Sequence, residues 1–247
     1  MNRYFLTVRY VGTRYGGFQV QDNAQTIQGE VEKVMGLFLR QPIELTGSSR
    51  TDAGVHALMN CFHFDYPEIL DSDMLYNLNA MLPNDIVLID LRQVSAQSHC
   101  RFDAIGRRYG YYIHTIKDPF AVDRSWYMPY KMDPILLAEA ANLLIGKHDF
   151  TSFAKRNSQV NNHYCTISIC KWEEQGAGWK FSIQGNRFLR GMVRGLVGTM
   201  VKIGRGKMSI DEFTRLLELK DNTMADFTAP AHGLFLEKIE FPVDFVK

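Results

Sequence analysis

The stretch GSSRTDAGVHA, residues 47–57, places a carboxylate, Asp52, two residues after Arg50 and four before His56, among neighbours too small to crowd it. Asp52 therefore either organises a turn, as Thr-Asp-Ala-Gly commonly does, or faces a bound group that small residues allow to come close. A second stretch, NRFLRGMVRGLVGTMVKIG at 186–204, repeats apolar residues at helical spacing with Arg190 and Arg194 one turn apart beside them. An arginine beside an apolar stripe ordinarily carries its head to water. Gly191, Gly195 and Gly198 need more explanation, because a glycine inside a helix costs roughly 1 kcal/mol relative to alanine. Close approach of another backbone or of a ligand would supply it. Finally, RRYGYYI sets Tyr109, Tyr111 and Tyr112 beside Arg107 and Arg108. On a strand these are cross-strand packing residues, or else an aromatic surface next to cations, the combination that holds nucleic acid.

The formal charge of +1 hides a local asymmetry. Between Glu174 and Asp211 there is no acid, while the run carries Lys180, Arg187, Arg190, Arg194, Lys202, Arg205 and Lys207. Clustered cations attract phosphates and gain from counterion release, unless acids from elsewhere in the fold neutralise them. Metal chemistry has no such support. Cys61, Cys100, Cys165 and Cys170 are widely spaced and match neither a zinc knuckle nor a redox motif, and the seven histidines are scattered. Asp52 with His56 would need a helix to bring the pair together and further ligands to hold a cation. We therefore expect no metal and four reduced, structural cysteines. No apolar run approaches the roughly 18 residues of a membrane span, and MNRYFLTVRY alternates apolar with polar residues, so a cytoplasmic chain without membrane attachment is expected.

These residues must be positioned by sheets and helices. RYFLTVRYV at 3–11 alternates Tyr4, Leu6, Val8 and Tyr10 against Arg3, Phe5, Thr7 and Arg9, the period of a strand. TIQGEVEKVMGLFL predicts a helix capped by Thr26, followed by a short strand at 43–46, the Asp52 loop, and CFHFDY as another strand. DSDMLYNLNAML is helical and IVLIDLRQV extended. Further on, RRYGYYIHT is a strand and DPILLAEAANLLIG a helix with Asp133 as cap. TISICKWEEQGAGWKFSIQG is a hairpin about Gly176 and Gly178, a helix spans about 188–203, another opens on the capping box from Ser209 to Glu212, and GLFLEKIEF is a final strand. The pattern predicts an α+β fold rather than a doubly wound parallel sheet, with two sheet-and-helix halves at 1–104 and 105–247.

SRTDAGVHA resembles the signature of the tRNA pseudouridine synthase A family, and other segments are similar to its motifs in the same order: RYVGTRYGGFQVQ, NAMLPNDI, HCRFDAIGRRYGYYI, DFTSFA, FLRGMVRGLVG and HGLFLEKIEF. The resemblance implies two related halves, each an antiparallel sheet with helices on one face, with the active cleft between them. It also implies a homodimer that holds a tRNA anticodon arm and isomerises uridine to pseudouridine at positions 38, 39 and 40. On this resemblance Asp52 falls on the catalytic aspartate, Tyr109 on the substrate-contacting tyrosine, Arg194 on the arginine that pairs with the aspartate, and Arg50 on an arginine acting when the base is flipped. Arg14, Arg107, Arg108, Arg187 and Arg190 are the candidate RNA contacts. The reaction conserves every atom, so no cofactor is expected. Val11 and Phe18 stand where the family commonly has aspartate and tryptophan, and Ser49 where it often has glycine; the first two leave the RNA contact of the Arg14 loop open. A noncatalytic RNA-binding factor on the same scaffold is the alternative, and it would lack the aspartate or its arginine.

Overall fold

The alternation of the first ten residues forms strand β1 (Asn2–Tyr10), with Tyr4, Leu6, Val8 and Tyr10 all buried. The computed structural model describes residues 1–155 and 162–242 as an α+β protein of two compact units, Met1–Ile105 with the chain from Leu236 onward, and Gly106–Phe235. Among the described residues no helix is long and apolar enough to cross a membrane.

In the first unit β1 is paired antiparallel on both sides. Strand β3 (His56–Tyr66) runs beside it in register from Asn2↔Tyr66 to Tyr10↔Ala57, and β4 (Ile86–Val94) from Arg3↔Val94 to Tyr10↔Ile86. A central strand is covered on both faces, and accordingly Phe5 and Thr7, on the face the alternation marks as outward, are also buried. Phe5 packs on Phe241 at 5.4 Å between ring centres. Helix α1 (Ile27–Leu39) starts as expected, the Thr26 hydroxyl accepting from Gly29 N at 3.2 Å, and it buries Ile27, Val31, Val34 and Met35. The strand expected at 43–46 is displaced to β2 (Thr46–Gly47), paired with β3. Helix α1 takes the backbone groups that an earlier strand would need: Leu45 N donates to the Glu32 carboxylate at 2.9 Å, and Gln28 donates to Leu45 O at 2.7 Å. Helix α2 (Met74–Met81) packs on β4.

The second unit contains β5 (Gly106–His114), β6 (Trp126–Tyr127), β7 (Gly146–Asp149), β8 (Tyr164–Glu174) and β9 (Gly178–Gly185), in the order β5-β9-β8-β7 with β6 beside β5. Its pairings are antiparallel except that β6 runs parallel to β5, Ile113↔Trp126. The sheet is therefore mixed rather than purely antiparallel, because residues 115–125 loop away and bring the chain back in the same direction. The hairpin turns at Gly176, whose φ of +56° suits glycine. Helix α3 (Pro134–Asn142) is capped by Asp133, and α5 (Ile210–Leu219) opens on the Ser209–Glu212 capping box.

The two compact units divide at Ile105, and the end of the chain falls with the first of them. Strand β10 (Leu234–Glu240) neighbours β3, and Ile105 N donates to Glu240 O at 2.8 Å, so the chain from Leu236 packs with the first unit.

Candidate active site

The Asp52 segment is held from beneath by a buried polar ladder. Ser48 N donates to Cys61 O at 2.8 Å, Asn60 Nδ2 donates to Ser49 O at 2.8 Å and to the Tyr10 hydroxyl at 3.2 Å, and that hydroxyl meets Thr51 Oγ1 at 2.8 Å. Phe18 N then donates to Thr51 O at 3.1 Å. Above this ladder the turn of the simpler reading does exist: Val55 N donates to Asp52 O at 3.1 Å, with Gly54 at φ +78°. The turn uses the main chain of Asp52. Asp52 as a residue is half-buried, and Arg50 stands exposed two residues earlier. Sequence reasoning passed over Asn60; the signal that would have found it is an amide inside the apolar run LMNCFHF, which requires partners.

His56 explains the end of the motif. Buried at the start of β3, it accepts the Gly12 N–H at Nδ1, 3.0 Å away. It thereby ties the N-terminal loop to the Asp52 turn, and it lies on a strand rather than on the helix that a joint cation site with Asp52 requires. In the same loop Arg14 is engaged by Asp85, with Nε and Nη2 donating to one carboxylate oxygen at 2.9 and 2.7 Å while the Tyr15 hydroxyl donates to the other at 2.6 Å. Burial, then Asp85, push the Tyr15 phenol above its ordinary range. Arg14 thus has an acidic partner already, whereas the sequence marked it as an RNA contact.

In the second unit Arg194 lies in helix α4 (Met192–Gly204), half-buried, with Nε donating to Ala229 O at 2.7 Å. The glycines of this helix make room for that partner. A Cβ at Gly198 would stand 2.3 Å from Asp226 O, and one at Gly195 would stand 2.8 Å from the Phe227 ring, so the segment 226–229 lies directly on the helix. Thr199 Oγ1 accepts from Asp226 N at 3.0 Å, and Lys202 pairs with the Asp226 carboxylate at 3.0 Å. Burial alone would raise the Asp226 carboxyl; hydrogen bonds from Thr228 and Lys202 outweigh it and hold that group below its usual range. Arg194 is therefore oriented by a strap of chain that no local spacing announces.

Helix α4 begins at Met192, not near 188, because Gly191 adopts φ +74° and breaks the helical path. Arg190 consequently precedes the helix and is not one turn from Arg194 upon it; its carbonyl accepts from Lys155 N at 3.0 Å. Gly191 is explained by this backbone rather than by helix packing.

Tyr109 is buried on β5 opposite Ile183, its ring edge-to-face with Phe188 at 5.1 Å. The flanking arginines are held by β9 and the residue beyond it: Arg108 donates twice to Gln184 Oε1, at 2.9 and 2.7 Å, and Arg107 donates to Asn186 O at 3.0 Å. Arg187 reaches Asn162 Oδ1 at 3.4 Å. Within the basic run Lys202 is thus balanced by an acid, while Arg205 stacks on Tyr130 at 3.9 Å and Lys180 lies over Tyr112 at 5.3 Å.

Sequence spacing missed one grouping altogether. Folding brings ligand atoms of His63, His99 and Cys100 within 4.8 Å of one another, although no linear motif joins them.

The family model described as tRNA pseudouridine synthase matches residues 6–103 and 140–242 of the chain. Among curated relatives, the chain is 42% identical over 249 residues to tRNA pseudouridine synthase A of Porphyromonas gingivalis, covering 99% of each protein. It is 39% identical over 245 residues to the protein of that name from Parabacteroides distasonis, covering 98% of this chain and 97% of the relative. To that of Azobacteroides pseudotrichonymphae it is 41% identical over 243 residues, covering 98% of both.

Proposed function

Because this chain belongs to the tRNA pseudouridine synthase family, an isomerase family acting on uridine in tRNA, we propose that it converts uridine to pseudouridine at positions 38, 39 and 40 of the anticodon stem-loop. The observation that carries this reading is the near-complete likeness to enzymes of that name, together with a half-buried acidic residue, Asp52, on a turn fixed by buried hydrogen bonds.

Isomerisation breaks the bond from N1 to C1′ and remakes it through C5, so a nucleophile or charge stabiliser at the sugar or ring is needed and no cofactor is required. Asp52 supplies that group. Arg194, on the family resemblance, is its partner, because an adjacent guanidinium keeps a carboxylate ionised and oriented; its own Nε is fixed by the Ala229 carbonyl. Tyr109 forms the flat wall against which the extruded base rests. Turning a base out of a stem costs a few kcal/mol, and exposed Arg50 takes part in that step. Arg107, Arg108, Arg187 and Arg190 approach the phosphates; Arg14 joins them only by leaving Asp85. We assign the working enzyme to the cytoplasm as a homodimer.

Release of tritium from C5-labelled uridine in a tRNA transcript, followed by mapping of the modified positions, tests reaction and substrate together. Tritium release with modification confined to 38–40 is expected. No release, or modification elsewhere in the tRNA, would refute the assignment. Reversing charge at Arg187 is expected to weaken tRNA binding most at low salt and to reduce the slope of log affinity against log salt by about 1. A loss that is independent of salt, read by filter binding across a salt series, would argue against phosphate contact.

A further inference from the structure

The grouping of His63, His99 and Cys100 has no part in the chemistry above. His63 projects from β3, while His99 and Cys100 come from the turn that follows β4, and His63 Nδ1 lies 3.2 Å from Cys100 Sγ. The two imidazole centres are 4.5 Å apart, edge to face. Two imidazoles and a thiol are the donor set of borderline-soft divalent cations, above all zinc. Zinc bond lengths of about 2.0–2.1 Å to nitrogen and 2.3 Å to sulfur put tetrahedral N and S ligands about 3.6 Å apart. The observed spacing is within small side-chain adjustments of that value. His63 and Cys100 are buried and His99 is half-buried, so a cation has a route in, and solvent water can fill the fourth position.

We propose that His63, His99 and Cys100 form a zinc-binding site that braces the entrance to the Asp52 loop. On binding, the Cys100 thiol releases its proton and the thiolate forms the Zn–S bond, while each imidazole donates a nitrogen lone pair. His99 Nδ1 now accepts from the amides of Arg101 and Phe102 at 3.2 and 3.4 Å. Coordination through Nε2 therefore moves the ring proton to Nδ1 and gives up those two long hydrogen bonds. The brace follows from what the ligands touch. In the metal-free chain Cys100 Sγ donates to Thr46 O at 3.1 Å, a bond given up with the thiol proton, so the brace is carried by Thr46 and Gly47 of β2, which pair with His63 and Phe62. Both the loop entrance and the ligands thus share the same short stretch of β3. Asp103 accepts from His99 N at 2.6 Å and places a negative charge beside the cation.

The test uses the purified full chain, stripped by chelator and then loaded with zinc or, as a spectroscopic probe, cobalt(II). One equivalent of metal is expected, with a thiolate-to-cobalt charge-transfer band, the visible bands of four-coordinate cobalt, and a zinc-dependent rise in Tm. All three are expected to disappear in Cys100→Ser and in His99→Gln and to persist in His148→Gln. Should Cys100→Ser fail to fold, His99→Gln at its half-buried position decides the matter. Absence of stoichiometric binding at micromolar zinc, cobalt bound without a thiolate band, or binding unchanged in His99→Gln would overturn the proposal. These readouts are independent of whether the chain modifies tRNA.

Discussion

Asp52→Asn is expected to abolish pseudouridine formation while the variant folds and binds tRNA within a few-fold of wild type. Asparagine preserves the size of the side chain and removes its charge and nucleophilicity. The loop is held by contacts that the substitution leaves in place: the Val55 N–H bonds to the main-chain oxygen of residue 52, and the Tyr10–Thr51 and Asn60–Ser49 contacts lie before it. The size-conserving change should cost folding no more than about 1 kcal/mol, the centre of the range for single substitutions. Turnover, by contrast, loses the group assigned to the reacting sugar or ring. A loss of about a thousandfold or more is expected, equivalent to about 4 kcal/mol of barrier. Single-turnover tritium release with filter binding on the same preparations separates the two effects. Turnover above about a tenth of wild type would show that the carboxylate is dispensable.

Gly12→Ala is expected to be the most damaging small substitution in the first unit. The new methyl would stand 2.0 Å from Val55 O and 2.8 Å from Val55 C, both backbone atoms, so no flexible side chain can swing aside. Retreat of residue 55 would stretch the turn to Asp52 and the bond from Gly12 N to His56 Nδ1. Overpacking of this kind costs about 1–3 kcal/mol or more, and whatever part the fold relieves by moving residue 55 reappears as a displaced carboxylate. Denaturant unfolding and turnover should therefore fall together. Gly206→Ala is the contrast: it meets nothing within 4 Å and bears only the strain of φ +67°, about 1 kcal/mol. A Gly12→Ala chain with wild-type unfolding midpoint and turnover would refute the close approach.

The local elements were legible where a single period or cap decides them. The alternation of residues 3–11, the Thr26 and Asp133 caps, the Ser209–Glu212 box and the Gly176 turn all form as their residue types dictate. What escaped was set by distant partners. Glu32 and Gln28 displace β2 from across a loop, and Gly191 delays α4 through a dihedral that an unbroken apolar stripe conceals. Two of the α4 glycines advertise a close neighbour correctly, but only the folded chain names it as the segment 226–229. The same holds for His63, His99 and Cys100, which topology rather than spacing assembles. Asp52 was visible as a candidate because of its small neighbours; that its turn rests on Tyr10 and Asn60 was not.

The return of β10 to lie beside β3 has a consequence for synthesis on the ribosome. Residues 1–105 emerge first, yet the part of β3 that β10 covers, beyond its short pairing with β2, stays open until residue 240 has been made, after the whole second unit. Nascent chains stalled in that interval carry an uncapped strand able to pair with a neighbouring copy, a route to aggregation. A circular permutant that joins the last strand directly to the first would close that window early, with the native contacts unchanged.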